Sequence, residues 1–340
     1  MKGLFAELRE AIDIPSPTGE EGEYARHVAR RLEAQGYPHV ELQAVEGDRA
    51  NVWARAGEQP RVVLCTHLDC VPPWIASSED EQYIYGRGSC DAKGIMLAML
   101  AAGARLRSKG VSDFGYLFTV GEELDSVGAK VARSLEPGSR HVIVGEPTEG
   151  RLATGHKGVF KFDLRAEGRA AHSAYPELGA SAIERLLDAL DAVRRADWGH
   201  SERLGPATVN VGTIAGGVAA NVIAPRAEAR VMVRVVGEAS ACGEILDGLL
   251  AGRQGVSYDG VASSDAVFCE TRPGFETAPV RFGTDIPSLG GSFGTPLLVG
   301  PGSIHDAHTS DEKIGKAELV AAVGLYERLV GELLAEGEAS

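Results

Sequence analysis

Short apolar runs alternate with segments of helical periodicity over the first 146 residues of the chain. Thr18 followed by Glu21 reads as a capping box, and Tyr24, Val28 and Leu32 then recur at helical spacing until Gly36, which predicts an amphipathic surface helix. The runs NVWARA and RVVLCT predict strands, Ala92 to Lys109 a helix, GYLFTV a strand, the residues after Asp125 another helix, and RHVIVGE a strand. Strands alternating with helices imply a mixed, mostly parallel sheet covered by helices, in which ligands collect beyond the carboxyl ends of the strands. The pattern changes after about residue 157. GVFKFDLRAEGRA alternates, GASAIERLLDALDAVRRA is helical, ATVNVGTIAGG and AEARVMVRVV read as strands, SACGEILDGLLAG is helical, and SDAVFCE reads as a last strand. Strand, helix, strand, strand, helix, strand is the ferredoxin-like order of an α+β domain. TPLLVG and a helix from Lys316 to about Glu336 resume the first pattern. The expected organisation is therefore a first domain of residues 1–156 and 273–340, interrupted by an inserted domain of residues 157–272.

Composition narrows the function classes. With 340 residues the chain exceeds what one core usually serves, and 44% apolar with 24% charged residues is the balance of a globular protein. The formal charge of −14 repels phosphate backbones and anionic lipid, so nucleic acid and membrane surfaces are not expected partners. No apolar run approaches the roughly 20 residues needed to span a bilayer. Cys65, Cys70, Cys90, Cys242 and Cys269 are odd in number, form no CxxC pair and follow no secretory leader, which makes a cytoplasmic location the expectation.

The strands of the first domain share a feature that composition does not explain. VVLCT runs into His67 and Asp69, GYLFTVG into Glu122 and Glu123, HVIVG into Glu146, and PLLVGPGSI approaches His305 and His308, while Asp91 sits in the Gly-rich loop YGRGSCDAKG. Taken singly, each is more often a structural residue, since paired Glu at a helix start simply favours the dipole. Parallel strands, however, bring their carboxyl ends to one edge, where converging carboxylates repel unless a cation or proton lies between them. Imidazole and carboxylate together suit zinc or a similar divalent ion, and a carboxylate shared by two ions holds them about 3.5 to 4 Å apart.

The segments THLDCVPP, YGRGSCDAKG, TVGEELDSVGA, GEPT, AAHSAYP, NVIAP and GPGSIHDAHTSDE, in this order, resemble the zinc amidohydrolase and metallopeptidase family of acetylornithine deacetylase, succinyl-diaminopimelate desuccinylase, aminoacylase and carboxypeptidase G. The resemblance implies two Zn2+ ions, with Co2+ or Mn2+ as substitutes. His67 would bind one ion and Asp91 both, with Asp69 orienting the His67 imidazole. Glu123 and His308 would complete one ion's protein ligands, and Glu146 would join His67 on the other. Glu122 would be the general base. His305 competes with His308, but the family pattern of Ala, His and a downstream acidic pair fits DAHTSDE only at His308. Cys70 stands where relatives often have Thr. In the inserted domain, His172 matches a His that stabilises the developing oxyanion in the neighbouring subunit, which implies a homodimer through that domain. Asn221 and Arg234 match substrate-binding positions, and Thr284, beside Gly283 in FGTDIPS, is a further candidate. The implied substrate is a small N-acylated amino acid, with acetylornithine ahead of succinyl-diaminopimelate and dipeptides.

Two other readings are weighed. GGSFG, Gly290 to Gly294, satisfies GxSxG, but a nucleophile elbow needs a strand before it and a helix after it, and Gly294 leads into a strand-like run. A non-catalytic binding protein on the same fold would be expected to carry a broken ligand set, whereas every metal position and Glu122 are filled here.

Overall fold

The computed structural model describes residues 2–336. Along the chain it forms α1 (Lys2–Ile12), α2 (Gly22–Ala34), β1 (His39–Glu46), β2 (Arg49–Arg55), β3 (Val62–His67), α3 (Lys93–Ser108), β4 (Phe114–Thr119), α4 (Val127–Ala132) and β5 (His141–Val144). An insertion supplies β6 (Gly158–Glu167), α5 (Ala182–Arg195), β7 (Thr208–Gly216), β8 (Arg226–Val235), α6 (Ala239–Leu250) and β9 (Val256–Ser264). The chain then returns with β10 (Thr295–Leu298) and α7 (Lys316–Ala335). Two compact units result. One takes Met1–Thr154, Cys269–Ala278 and Thr284–Ser340, and the other Gly155–Phe268 and Pro279–Gly283.

In the first unit six strands run in the order β1-β2-β4-β3-β5-β10. The pairs β4–β3, β3–β5 and β5–β10 are parallel, and the hairpin β1–β2 joins the edge antiparallel to β4. Every residue of β3 and β4 is buried, as expected where helices cover both faces and the strand sequence is a continuous apolar run. Residues of α1, α2, α3 and α7 share one core with the sheet. Close packing has a sequence cause at Gly103 of α3, where a Cβ would run into Tyr116 of β4. The register places Thr119 opposite His67 and Val144 opposite Cys65, so the carboxyl ends of three neighbouring strands open at one edge.

The second unit is an antiparallel sheet in the order β7-β8-β6-β9, with α5 and α6 on one face. Burial alternates along β6 and β8, and Phe160, Phe162, Leu164, Val231 and Val233 meet Leu186 and Leu190 of α5 and Leu246 of α6. This is the expected ferredoxin-like arrangement.

Three local expectations are corrected. The final strand of this sheet is Val256–Ser264, and SDAVFCE contributes only the two-residue strand Val267–Phe268, which pairs with His156 and Gly155. The cause is a register shift between Asp259 and Ala262, beside Gly260 at φ +63°, which breaks the period-two pattern of a polar strand. β1 was not expected, because HVELQAVE keeps half its residues in water. The Thr18–Glu21 capping box does not form: Glu21 is the N-cap of α2 without a side-chain cap bond. Ser292 follows the short helix Ile286–Leu289 and precedes β10, the reverse of a nucleophile elbow.

Candidate metal centre

β3 ends on His67, and its imidazole is the hub of the sheet edge. Nε2 lies 3.0 Å from Asp91 Oδ1, and Nδ1 lies 2.9 Å from the backbone carbonyl of Asp69. The Asp69 carboxylate stands farther off, its Oδ1 at 3.6 Å from Nδ1. That carboxylate instead collects donors from β4's exit: Oδ1 accepts the Glu122 amide at 3.1 Å and Oδ2 the Glu123 amide at 3.2 Å. Asp69 thus ties two strand ends together, while its own carbonyl accepts from His67 and fixes the tautomer that leaves Nε2 toward Asp91.

Two overlapping clusters follow. Ligand atoms of His67, Asp91 and Glu123 lie within 4.8 Å of one another, and so do those of His67, Glu122 and Glu146. His308 joins the first, its Nε2 2.8 Å from Glu123 Oε1 and 3.4 Å from Asp91 Oδ2. Its backbone is left-handed, at φ +62°, a conformation that a histidine adopts at a cost of about 1 kcal/mol or more, and which turns the ring toward Asp91 and Glu123 here. His305 makes no such approach: its amide donates to Ser303 Oγ at 3.4 Å.

The electrostatics are those of a site that needs positive charge. Burial pushes the carboxyls of Glu122 and Glu146 well up, and neighbouring carboxylates add to it. Burial opposes ionisation of Asp91 too, but hydrogen bonds with His308 and His67 prevail and hold its carboxyl below the usual range. His308 is pushed up to about 10 by its bonds with Asp91 and Glu123. For His67, burial favours the neutral ring, yet the nearby carboxylates of Asp69 and Asp91 lift it well above the ordinary value. A cation among these groups would relieve the repulsion that raises the Glu122 and Glu146 carboxyls. This donor set of imidazole nitrogens and carboxylate oxygens suits a divalent cation, and His67, Asp91, Glu123, Glu146 and His308 are residues that could hold one.

Two further acids support the edge, and the sequence reading had not singled them out. Glu312, 1% exposed, accepts the amides of Gly88, Cys90 and Asp91 on Oε1 at 2.9, 3.1 and 3.1 Å, and Arg87 on Oε2 at 2.6 Å. A glycine-rich loop with several inward amides needs such an anion, and that need was the available signal. Asp285 is buried and accepts the Thr119 hydroxyl at 2.7 Å. Burial pushes its carboxyl up against hydrogen bonds from Thr119 and Ser126.

Other expected site residues lie elsewhere. Thr284 is buried in the first unit, its hydroxyl accepting the Ile286 amide at 3.2 Å. In the second unit His172 is exposed, and its Nδ1 accepts the Ala174 amide at 3.1 Å, so the neutral ring carries its proton on Nε2. Asn221 is exposed, and its carbonyl accepts the Ser173 amide. Arg234, near the end of β8, belongs to a cationic group: burial, then the charges of Arg281 and Arg234, lower the pKa of Lys157.

Carboxylates and imidazoles gathered at the carboxyl edge of such a sheet, in a chain that also carries a ferredoxin-like insertion, define a class of metal-dependent amide hydrolases. Comparison with known proteins gives the family. Residues 154–242 match the peptidase dimerisation domain of M20 peptidases. A peptidase M20 domain-containing protein of Schizosaccharomyces pombe is 38% identical over 96% of this chain and 84% of its own length. A probable carboxypeptidase of Aspergillus niger is 35% identical over 95% of this chain and 88% of its own. Among solved structures, aminopeptidase PepT of Bacillus cereus superposes with a TM-score of 0.83 at 20% identity, covering 97% of this chain and 98% of that one. The YXEP protein of Bacillus subtilis, described as a dinuclear metal binding peptidase, gives 0.71 at 15% identity over 98% and 99%. The chain belongs to the M20 metallopeptidase family, whose members are metal-dependent hydrolases of amide bonds. No helix among the described residues is long and apolar enough to cross a membrane.

Proposed function

We propose that the protein hydrolyses the amide bond of a small N-acylated amino acid, of the acetylornithine type, using two zinc ions for which Co2+ or Mn2+ can substitute. The observation that carries this reading is Glu122, a partly buried carboxyl whose oxygen lies within 4.8 Å of the donor atoms of His67 and Glu146, where burial and neighbouring carboxylates raise its pKa. A group so placed takes a proton from water and returns it to the leaving amine. When bound, the ions would polarise the scissile carbonyl and make a water acidic enough to attack it. Glu123 and His308 hold one end of the cluster, Glu146 and His67 the other, and Asp91 spans both.

The second unit supplies recognition in this reading. Arg234, with Lys157 and Arg281 nearby, meets the substrate's free carboxylate, Asn221 adds a polar contact, and Thr284 of the first unit adds another. His172, with its proton on Nε2, donates to the developing oxyanion of the partner protomer in a homodimer. The five cysteines are all buried and odd in number, and we place the protein in the cytoplasm.

A carboxypeptidase reading differs only in having a peptide as the acyl group, and the relative from Aspergillus niger, named a probable carboxypeptidase, favours it. The deciding experiment is a hydrolysis screen of the zinc-loaded protein against acetyl, succinyl and aminoacyl amino acids, each with its carboxylate free and amidated. Preference for acetylornithine supports the first reading, and preference for peptides moves the assignment to the second. Turnover indifferent to amidation would remove the proposed role of Arg234. A protein inert across the panel would revive a binding role.

A further inference from the structure

Thr18 and Glu21 have the spacing of a capping box, but each side chain is engaged elsewhere. Glu21, fully buried, accepts Nε and a terminal nitrogen of Arg49, both at 2.8 Å. Thr18 donates its hydroxyl to Asp69 Oδ2 at 2.9 Å. Helix α2 therefore starts without the cap that this sequence could have given it. The loop holding Thr18 is pinned against the exit of β3 on three further points: Ser16 Oγ donates to the Leu68 carbonyl at 2.8 Å, the Cys70 amide to the Ser16 carbonyl at 2.9 Å, and the Thr18 amide to the Cys70 carbonyl at 3.2 Å.

Asp69 carries the amides of both Glu122 and Glu123, one on each oxygen. Two such bonds alone leave the carboxylate free to rock about its Cβ–Cγ bond, whose torsional preference is broad. Oδ1 lies 3.6 Å from His67 Nδ1, close enough to compete for that proton if the group turned. The Thr18 hydroxyl adds a shorter bond to Oδ2 from a separate element. We propose that Thr18 is a positioning residue of the metal centre: its hydroxyl locks the Asp69 carboxylate in the orientation that sets Glu122 and Glu123 relative to His67. The proposal rests on the metal-centre reading given above.

The test uses the whole protein and zinc itself. Zinc affinity is measured by competition with a chromogenic chelator for the wild type, Thr18→Val and Thr18→Ser, with the melting temperature of each metal-free protein alongside. Valine keeps the shape of threonine and lacks the donor, whereas serine keeps the donor. Thr18→Val is expected to bind zinc about 10- to 100-fold more weakly, the usual loss when a group that orients a metal ligand is removed, and Thr18→Ser is expected to recover most of it. The metal-free melting temperatures should stay close. Wild-type affinity in Thr18→Val overturns the proposal, and so does equal weakening in Val and Ser, which would assign the effect to packing. Should Thr18→Val fail to fold, Thr18→Ala replaces it in the same comparison, and equal affinity in Ala and Ser overturns the proposal. A wild-type protein that binds no zinc would instead bring down the metal-centre reading, and Thr18's role with it.

Discussion

Glu122 and Glu123 leave the same strand end side by side, their amides held on the two oxygens of one carboxylate, yet they face different partners. Glu123 meets the His308 imidazole at 2.8 Å, while Glu122 is lifted well above its ordinary pKa by burial and by Asp285, Glu123 and Asp91. Removing the carboxylate from each should therefore give different losses. Glu122→Gln keeps the volume but cannot accept a proton, so metal content by atomic absorption should stay near that of the wild type while turnover falls about 10²- to 10⁴-fold. Glu123→Gln should lose metal. Near-normal turnover in Glu122→Gln would send the search for the base elsewhere. The identities of these residues were visible in the sequence because acids at the ends of several apolar runs are improbable without a shared cation. That His67 donates to the Asp69 carbonyl and not to its carboxylate was not visible, since both acceptors belong to one residue and only the backbone path separates them.

Among elements, the edge is assembled by loops that reach one another across long stretches of chain. Glu312 lies four positions after His308 and grips the amide of Asp91, so one buried carboxylate sets the spacing of two donors that are 217 positions apart in number. Glu312→Ala would leave the Arg87 charge without its carboxylate and three inward amides unpartnered in the interior. Loss of one side of a buried pair costs about 3 to 5 kcal/mol, so the urea midpoint should drop sharply, and metal content should fall with it. An unchanged midpoint would mean that water replaces the carboxylate without cost. The elements that were legible beforehand, β3, β4, β5, α3 and α5, are those whose apolar residues keep one period throughout. The strand Val256–Ser264 escaped because its bulge resets the period midway, and the capping box failed because tertiary partners outcompeted the local bond for both side chains.

For the whole molecule, protonation and metal binding oppose one another. His67, His308, Glu122 and Glu146 all have pKa values raised by the fold. A raised value stabilises the folded state below the unfolded pKa, and the contribution is lost as pH climbs through the folded one. With chelator present, the melting temperature should fall between about pH 6.5 and about pH 10, the span over which His308 loses its proton. Zinc needs the same donors deprotonated, so the rise in melting temperature on adding zinc should grow over that interval. A zinc effect independent of pH would contradict the proposed donor set. The homodimer reading is tested by mixing. His172→Ala alone should lose about 10²- to 10³-fold in turnover with metal retained. Combined with Glu122→Gln after subunit exchange, random pairing gives about half mixed dimers, each with one complete site, so activity should return to about a quarter of the wild type. Demonstrated exchange without recovery would place His172 outside the partner's site.

The first unit is interrupted between Thr154 and Cys269, and its last contributions come late in the chain. During synthesis a polypeptide halted at residue 300 already contains His67, Asp91, Glu123 and Glu146, together with every strand and helix of the ferredoxin-like unit, but neither His308 nor Glu312. The inserted unit can fold, as domains do, while the hydrolase unit still waits for His308, Glu312 and α7. On the homodimer reading, a nascent chain is thus able to meet a partner before it is able to cut an amide, and the order of translation itself keeps the site incomplete until the segment carrying His308 and Glu312 has left the ribosome.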